Sequence, residues 1–297
     1  MPRFVCNLCQ REISYSENDE ARFESMNWEC DECYVIIGKR RYEVNQAGRN
    51  VCFSLMGMAL GDKVMQSVIR EQYAKDNPDE NVIYLGYCDP VQVIKDYNPV
   101  KFWWANVTSI MTMPVHPSVK WFSMCGEASY YASQGIYPRL DFEPLRPQNF
   151  NVEKFVVLHI RHIAKAPNKN AEPFIVNRII EILFDQWKKQ EIEAVVLVGN
   201  DYQPPDIYLP PGLCIDLRNI LLLPEIAWLC ANARLTIGKD SGIVHLAAAA
   251  GGKMVSWGYV SKQWFPKCPT ENYIALMADE SHWDNVTDAV KKKGGFV

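Results

Sequence analysis

The carboxyl-terminal half of the chain alternates short, almost continuous apolar runs with longer stretches whose apolar residues recur every three or four positions. The apolar runs predict buried strands, and the amphipathic stretches predict helices. The predicted strands are Lys154–Ile160, Ala194–Gly199, Cys214–Leu217, Leu235–Ile237 and Met254–Gly258, and the predicted helices are Pro173–Lys188, Leu223–Asn232 and Ile243–Ala250. Strands that alternate with helices in this way indicate a parallel, doubly wound α/β sheet.

A shorter unit of the same kind precedes it. Val51–Leu55 and Asn81–Gly86 predict strands, and Lys63–Lys75 predicts the helix between them. The glycine-bounded turn Gly57–Asp62 follows the first strand, which is where ligands bind in open α/β sheets. Prolines at positions 138, 144 and 147 indicate a linker. We therefore predict three parts, residues 1–45, 46–148 and 149–297.

Four of the ten cysteines form two CxxC pairs, Cys6 with Cys9 and Cys30 with Cys33, separated by 20 residues. Two such turns can place four thiolates around a structural zinc ion, which stabilises a segment too short to form its own core. We therefore predict a small zinc ribbon at the amino terminus. Iron in the same four-thiolate site and two disulfides are the alternatives. The remaining cysteines stand singly in apolar surroundings and are expected to be buried.

Composition is that of an ordinary globular protein, with 48% hydrophobic and 22% charged residues. No apolar run approaches the ~20 residues that span a bilayer, and no export signal begins the sequence, so we expect a cytoplasmic protein. The net charge of −4 argues against nucleic acid as the main partner. Two basic runs, Lys39–Arg41 and Lys291–Lys293, are interpreted as a solvated linker and a frayed tail.

The most informative stretch is residues 235–252, LTIGKDSGIVHLAAAAGG. It predicts a strand, a tight turn and a helix that starts at Ser241-Gly242, so free backbone amides and the positive end of the helix dipole face any ligand above the strand. Such an end binds phosphate, and Gly242 lets a ligand approach the backbone closely. Asp240 and His245 can reach the same place. An ordinary strand–turn–helix unit with Ser241 as a capping residue is the alternative.

This stretch resembles the signature of glycosyltransferase family 9, the heptosyltransferases of the lipopolysaccharide inner core. The matching residues are Asp240, Ser241, Gly242, His245 and the Ala-rich helix after them. Far upstream, Gly61-Asp62 resembles the Gly-Asp pair in the first loop of that family. The resemblance implies a GT-B fold, with two Rossmann-like domains facing a cleft. It also implies an inverting, metal-independent transfer of a sugar from a nucleotide-diphosphate donor, by default ADP-heptose.

The resemblance also implies roles for individual residues. Asp62 is the catalytic base, although its position also suits a helix N-cap. Lys169 stabilises the diphosphate, with Lys165 and Arg161 as alternates in the same loop. Asp240 binds sugar hydroxyls and Ser241 and Gly242 offer backbone amides to the donor. His245 completes the predicted donor site, with a buried core histidine as the alternative.

The predicted zinc ribbon lies outside the resemblance and leaves other functions open. The acceptor can be a saccharide, or a protein or modified nucleic acid that docks on the ribbon. A catalytically silent GT-B scaffold that only binds a nucleotide sugar or a partner is the alternative from another functional class. Loss of turnover with retained donor binding in an Asp62 variant would distinguish the enzyme from the scaffold.

Overall fold

The structure is a computed structural model that describes residues 2–5, 12–14, 34–37, 40–43, 49–54, 119–140, 142–162, 167–200 and 206–296, with a set of positions between 60 and 85. That set comprises residues 60, 61, 64, 65, 68, 72, 75, 76, 78 and 80–85. Several residues predicted to be functional lie outside the described part of the chain, namely Asp62, Lys165, Cys6, Cys9, Cys30 and Cys33. Their roles stay predictions.

Two short antiparallel pairs of strands lie near the amino terminus. β1 (Arg3–Val5) pairs with β2 (Glu12–Ser14), and β3 (Tyr34–Ile37) pairs with β4 (Arg40–Glu43). The expectation of a solvated linker around Lys39–Arg41 is therefore wrong for its last two residues. A run of charged residues gives little local strand signal, and the pairing with β3 decides the structure.

A three-stranded parallel sheet follows, with β5 (Arg49–Ser54) between β6 (Glu80–Leu85) and β7 (Val119–Ser123). The described residues from 60 to 76 are helical, which confirms the predicted βαβ unit. Leu60 and Gly61 are already helical, so this segment, called here the Leu60 helix, begins before the predicted Lys63. Its buried positions share one helix face: 60, 61, 64, 65 and 68.

The larger sheet is built from six further strands: β8 (Phe155–His159), β9 (Ala194–Leu197), β10 (Cys214–Asp216), β11 (Leu235–Lys239), β12 (Met254–Tyr259) and β13 (Tyr273–Met277). Their order across the sheet is β10-β9-β8-β11-β12-β13, and every pair is parallel. The helices with continuous bounds are α1 (Met124–Ser133), α2 (Pro173–Lys188), α3 (Leu223–Asn232), α4 (Gly242–Ala249) and α5 (Trp283–Gly294). The predicted parallel α/β sheet is thereby confirmed.

Helices cover both faces of the larger sheet. On one face, α2 and α5 pack against the even positions of β8, Val156 and Leu158. On the other face, α3 and α4 pack against the odd positions Phe155 and Val157. Each central strand of such a sheet is buried on both faces, and its sequence is therefore almost continuously apolar.

The Leu60 helix packs into the hydrophobic cluster on the second face, the one covered by α3 and α4. Leu60 and Val64 are buried in the same cluster as Ile226 of α3 and Ile243 of α4. The amino-terminal βαβ unit therefore contacts the larger sheet's layer of helices at the start of α4, which is the segment singled out by the sequence.

Two carboxyl-terminal elements, β13 and α5, were not predicted, and the expected frayed tail at Lys291–Lys293 is wrong. Those lysines form the last turn of α5, which ends at Gly295 in a left-handed conformation (φ 61°). The helix is polar overall and buries a narrow stripe that includes Val286, Ala289 and Val290. Such a stripe is a weak signal among so many charges, and the basic last turn suits the negative end of the helix dipole.

Candidate active site

The residues of the family 9 signature lie where the strand order of the larger sheet reverses. From β8 the chain proceeds outward to β9 and β10, whereas β11 lies on the other side of β8 and leads to β12 and β13. The loops that leave β8 and β11 therefore diverge, and the space between them is the usual ligand position in open α/β sheets. Gly238 of β11 is in register with His159 at the end of β8.

Helix α4 begins directly above this edge. Ser241 occupies its N-cap position with an extended backbone (φ −160°, ψ 163°), and its side chain makes no capping bond to the described helix. The Ser241 hydroxyl instead lies 3.0 Å from Nδ1 of His159. The interpretation of Ser241 as an ordinary capping residue is therefore wrong. The first amides of α4 receive no side-chain cap and can bind an anion.

Asp240 lies between two cations of the loop that follows β8. Its carboxylate Oδ2 is 3.4 Å from Nζ of Lys169, and its backbone oxygen accepts a 3.0 Å hydrogen bond from Nη1 of Arg161. The structure therefore brings together Arg161, Lys169 and Asp240, as the sequence predicted. The Lys169 side chain is half exposed, whereas Asp240 is 18% exposed. An exposed ion pair of this kind is worth only about 0–1 kcal/mol, so Lys169 can exchange Asp240 for an anionic ligand.

His245 lies in the first turns of α4 and is buried. Burial lowers the pKa of its imidazole from 6.5 to about 4, opposed by the nearby Asp240 carboxylate and assisted by the cations Lys267 and Lys169. The ring is therefore neutral near pH 7. Its Nε2 lies 4.0 Å from Asp240 Oδ1, and its buried Nδ1 has no hydrogen-bond partner among the described residues.

Two glycines allow the Leu60 helix to approach α4. A Cβ atom on Gly61 would lie 2.6 Å from Cδ2 of His245, and a Cβ atom on Gly242 would lie 2.5 Å from Cβ of Leu60. The space on the Cβ side of Gly242 is thus filled by Leu60 and is not open to a ligand, whereas its amide belongs to the uncapped first turn of α4. Gly61 directly precedes the predicted base Asp62 in the sequence, but Asp62 itself lies outside the described residues.

A hydrogen-bond network that the sequence did not predict lies on the other side of Asp240. Lys239 is 6% exposed, and its Nζ donates to the backbone oxygen of Asn170 at 2.8 Å and to the Glu172 carboxylate. Trp257 Nε1 donates to the second Glu172 oxygen at 3.0 Å. The network fixes the chain immediately after Lys169 against β11 and β12. Lys239 was predicted to lie in the turn after the strand, whereas it is the last residue of β11.

Gly258 makes room for this network. Its φ of 84° lies in the left-handed region that favours glycine, and a Cβ atom there would lie 2.6 Å from Cε of Lys239. The Lys239 side chain therefore reaches Glu172 through space that any larger residue at position 258 would take.

The predicted zinc ligands and the single cysteines have different outcomes. Among the described residues no group of three or more His, Cys, Asp or Glu side chains is arranged to hold a metal ion. The four cysteines of the predicted ribbon lie outside those residues, so zinc stays a prediction. Cys230 and Cys268 are buried as expected, and burial raises the pKa of each thiol to about 12, which keeps both protonated.

None of the helices in the described part of the chain has the length and apolar character needed to cross a membrane.

Comparison with known proteins begins with one family model. Residues 211–294 match the model of glycosyltransferase family 9 (heptosyltransferase). The matched segment runs from just before β10 to the end of α5, so it contains Asp240, Ser241, Gly242 and His245. No curated protein sequence matches the chain.

Solved structures that are similar to the chain include the following three. A family 9 glycosyl transferase from Veillonella parvula is 13% identical, with 84% of this chain and 97% of that chain covered and a TM-score of 0.50. E. coli ADP-heptose lps heptosyltransferase II is 11% identical (83% and 98% covered, TM-score 0.46). E. coli heptosyltransferase WaaC with ADP is 10% identical (82% and 99% covered, TM-score 0.47).

The first of these similarities shows a common α/β fold with a parallel six-stranded sheet. The residues matched by the family model include those at the edge of that sheet where the candidate site lies. Together they support the prediction that the chain is a glycosyltransferase enzyme.

Proposed function

We propose that the protein is an inverting GT-B glycosyltransferase that transfers a sugar from a nucleotide-diphosphate donor to an acceptor hydroxyl. The donor in this proposal is ADP-heptose, a choice supported by the heptosyltransferase family model that matches residues 211–294. The observation that carries the proposal is the start of α4, where uncapped amides, Arg161, Lys169 and Asp240 converge at the reversal of the strand order.

The chemistry requires that negative charge be stabilised as the sugar–phosphate bond breaks. The acceptor oxygen forms a bond to the anomeric carbon, and the electron pair of the old bond leaves with the diphosphate. Preorganised donors at a helix start and nearby cations stabilise such a leaving group. In the proposal, the amides of Ser241 and Gly242 contact the diphosphate and Lys169 turns from Asp240 to a phosphate oxygen. Asp240 is then available to accept hydrogen bonds from sugar hydroxyls.

The acceptor proton goes to Asp62 in this proposal. The support is the contact of Gly61, the residue before it in the sequence, with the His245 ring. In the proposal, the Asp62 carboxylate faces the donor from the amino-terminal lobe, as a general base in a cleft between two lobes requires. No metal ion takes part in the proposed step.

The acceptor class and the cellular location belong to the same proposal. The predicted zinc ribbon would provide a surface for a protein or nucleic-acid acceptor, and a saccharide is the other acceptor class. The four reduced thiolates of the ribbon require a reducing compartment, which agrees with a cytoplasmic protein.

The test combines donor binding with turnover. Nucleotide sugars that include ADP-heptose are screened by thermal shift, because a bound donor raises the melting temperature by mass action. Donor consumption is then measured for the wild type and for Asp62→Asn, which we expect to lower turnover by at least ~100-fold with unchanged donor affinity. Asp76→Asn is the matched control, since Asp76 is an exposed carboxylate of the Leu60 helix that accepts a hydrogen bond from Gln72.

Two results would contradict the proposal. A wild-type protein that binds a nucleotide sugar but consumes none, with any acceptor offered, is the silent scaffold instead. An Asp62→Asn protein that turns over as fast as Asp76→Asn removes Asp62 as the base.

A further inference from the structure

His159 ends β8 and lies in a slot between the two strands beside it. It is 5% exposed. On one side, a Cβ atom on Gly199 would lie 2.7 Å from Cδ2 of its ring, and on the other, a Cβ atom on Gly238 would lie 3.3 Å from its own Cβ. The ring thus fits between β9 and β11 because both neighbours are glycines. Its place is beneath the start of α4.

One polar contact of the His159 side chain is made with the N-cap residue of α4. Nδ1 of His159 lies 3.0 Å from Oγ of Ser241, and Ser241 itself is 4% exposed. A serine at an N-cap normally turns its oxygen to the helix amides. Here the bond to His159 holds the hydroxyl away from them. It therefore fixes the Ser241 side chain and leaves the amides uncapped.

We propose that His159 is a positioning residue that holds the Ser241 hydroxyl as a hydrogen-bond donor to a diphosphate at the start of α4. The inference rests on the proposed function, because it assumes that a diphosphate binds there. His159 acts through Ser241 and makes no contact with the ligand in this account.

The direction of the bond follows from the chemistry of the two partners. A serine hydroxyl has one proton, and phosphate oxygens only accept hydrogen bonds. If Ser241 donated its proton to His159, its oxygen would present only lone pairs to the anion. The Nδ1–H tautomer of His159 donates to Oγ and leaves the serine proton for a phosphate oxygen. Diphosphate binding therefore selects that tautomer.

The test measures ADP and inorganic pyrophosphate binding by calorimetry in a set of His159 variants. An asparagine amide can replace Nδ1, whereas a glutamine amide reaches the position of Nε2. We expect His159→Asn to bind ADP nearly as the wild type and His159→Gln to bind about 10-fold more weakly. Ser241→Ala should lose a similar factor, and His159→Gln should add little in the Ser241→Ala background because both remove one interaction. His282→Gln, at an exposed site on α5, is the control.

A spectroscopic readout separates positioning from a purely structural role. Nitrogen-15 chemical shifts of the histidine side chains report the tautomer, and ADP should shift His159 towards the Nδ1–H form. Additive losses in the double variant, a His159→Gln protein that binds as the wild type, or an unchanged tautomer on ADP binding would overturn the inference. A wild type that binds neither ADP nor pyrophosphate would instead overturn the proposed function on which it rests.

Discussion

At the scale of single residues, His245 combines two roles in one side chain. Its burial keeps the imidazole neutral near pH 7, and the edge of the same ring is the surface on which Gly61 rests. A charged His245 ring at this buried position would need an anion within hydrogen-bond distance, but the Asp240 carboxylate lies 4.0 Å away. The geometry therefore favours a neutral ring that packs against Gly61.

This neutral histidine predicts a loss of stability on acidification. The unfolded chain takes up the proton near pH 6.5, while the folded chain resists protonation down to about pH 4, so the free energy of unfolding falls as the pH falls through that window. The full depression corresponds to about 3 kcal/mol at most. The glutamine of His245→Gln does not titrate. In this variant the free energy of unfolding, measured with urea, should therefore differ less between about pH 7 and about pH 4.5 than in the wild type.

The exposed His282 provides the control for this experiment. His282→Gln makes the same substitution at an exposed site. A pH dependence that is the same in His245→Gln and His282→Gln would show that His245 is not buried as a neutral group.

Gly61→Ala tests the contact between the two lobes. Alanine usually stabilises a helix by about 1 kcal/mol relative to glycine, but here the new methyl group would lie 2.6 Å from the His245 ring. We expect overpacking to cost about 1–3 kcal/mol in urea unfolding and to lower turnover by displacing Asp62. The double variant Gly61→Ala, His245→Ala has room for the methyl group and should cost less than the two single changes combined. A more stable Gly61→Ala protein would refute the contact.

At the scale of secondary-structure elements, the sequence predicted those whose signal is local. The helices Pro173–Lys188 and Leu223–Asn232 match the prediction at both ends, because an N-terminal proline and a regular apolar stripe define them. The strands β8, β9, β11 and β12 were found because burial on both faces makes them apolar throughout. β13 is only partly buried along its length, and α5 depends on contacts with distant parts of the chain.

Arg234 is the distant partner that fixes the end of α5. Its guanidinium donates to the backbone oxygens of Gly294 at 2.8 Å and Gly295 at 3.1 Å, and it lies 4.8 Å from the centre of the Phe296 ring. A single ammonium group cannot reproduce this forked set of bonds. Arg234→Lys should therefore lower the free energy of unfolding by about 1–3 kcal/mol, measured by urea denaturation.

Arg139→Lys is the matched control, because Arg139 is exposed and such substitutions change stability by less than about 0.5 kcal/mol. Equal losses in the two variants would show that Arg234 does not fix the helix end.

At the scale of the whole molecule, the sequence predicted a candidate site but not the long-range contacts around it. Asp240, Arg161 and Lys169 were predicted together because a strand–turn–helix motif and a cationic loop are local patterns. The hydrogen-bond partner of Ser241 is His159, 82 positions earlier in the chain. Gly61, from the unit with the three-stranded sheet, contacts His245, from the unit with the six-stranded sheet. The strand order brings such pairs together, and the spacing of the residues along the chain does not predict these contacts.

In the proposed function, the start of α4 binds the diphosphate of the donor, and the Leu60 helix faces the bound diphosphate. A crystal structure of the protein with ADP tests this most directly. We expect diphosphate oxygens within about 3 Å of the Ser241 and Gly242 amides, with Lys169 turned from Asp240 to the phosphate. A nucleotide bound away from α4, or a diphosphate that leaves these amides to water, would contradict the account.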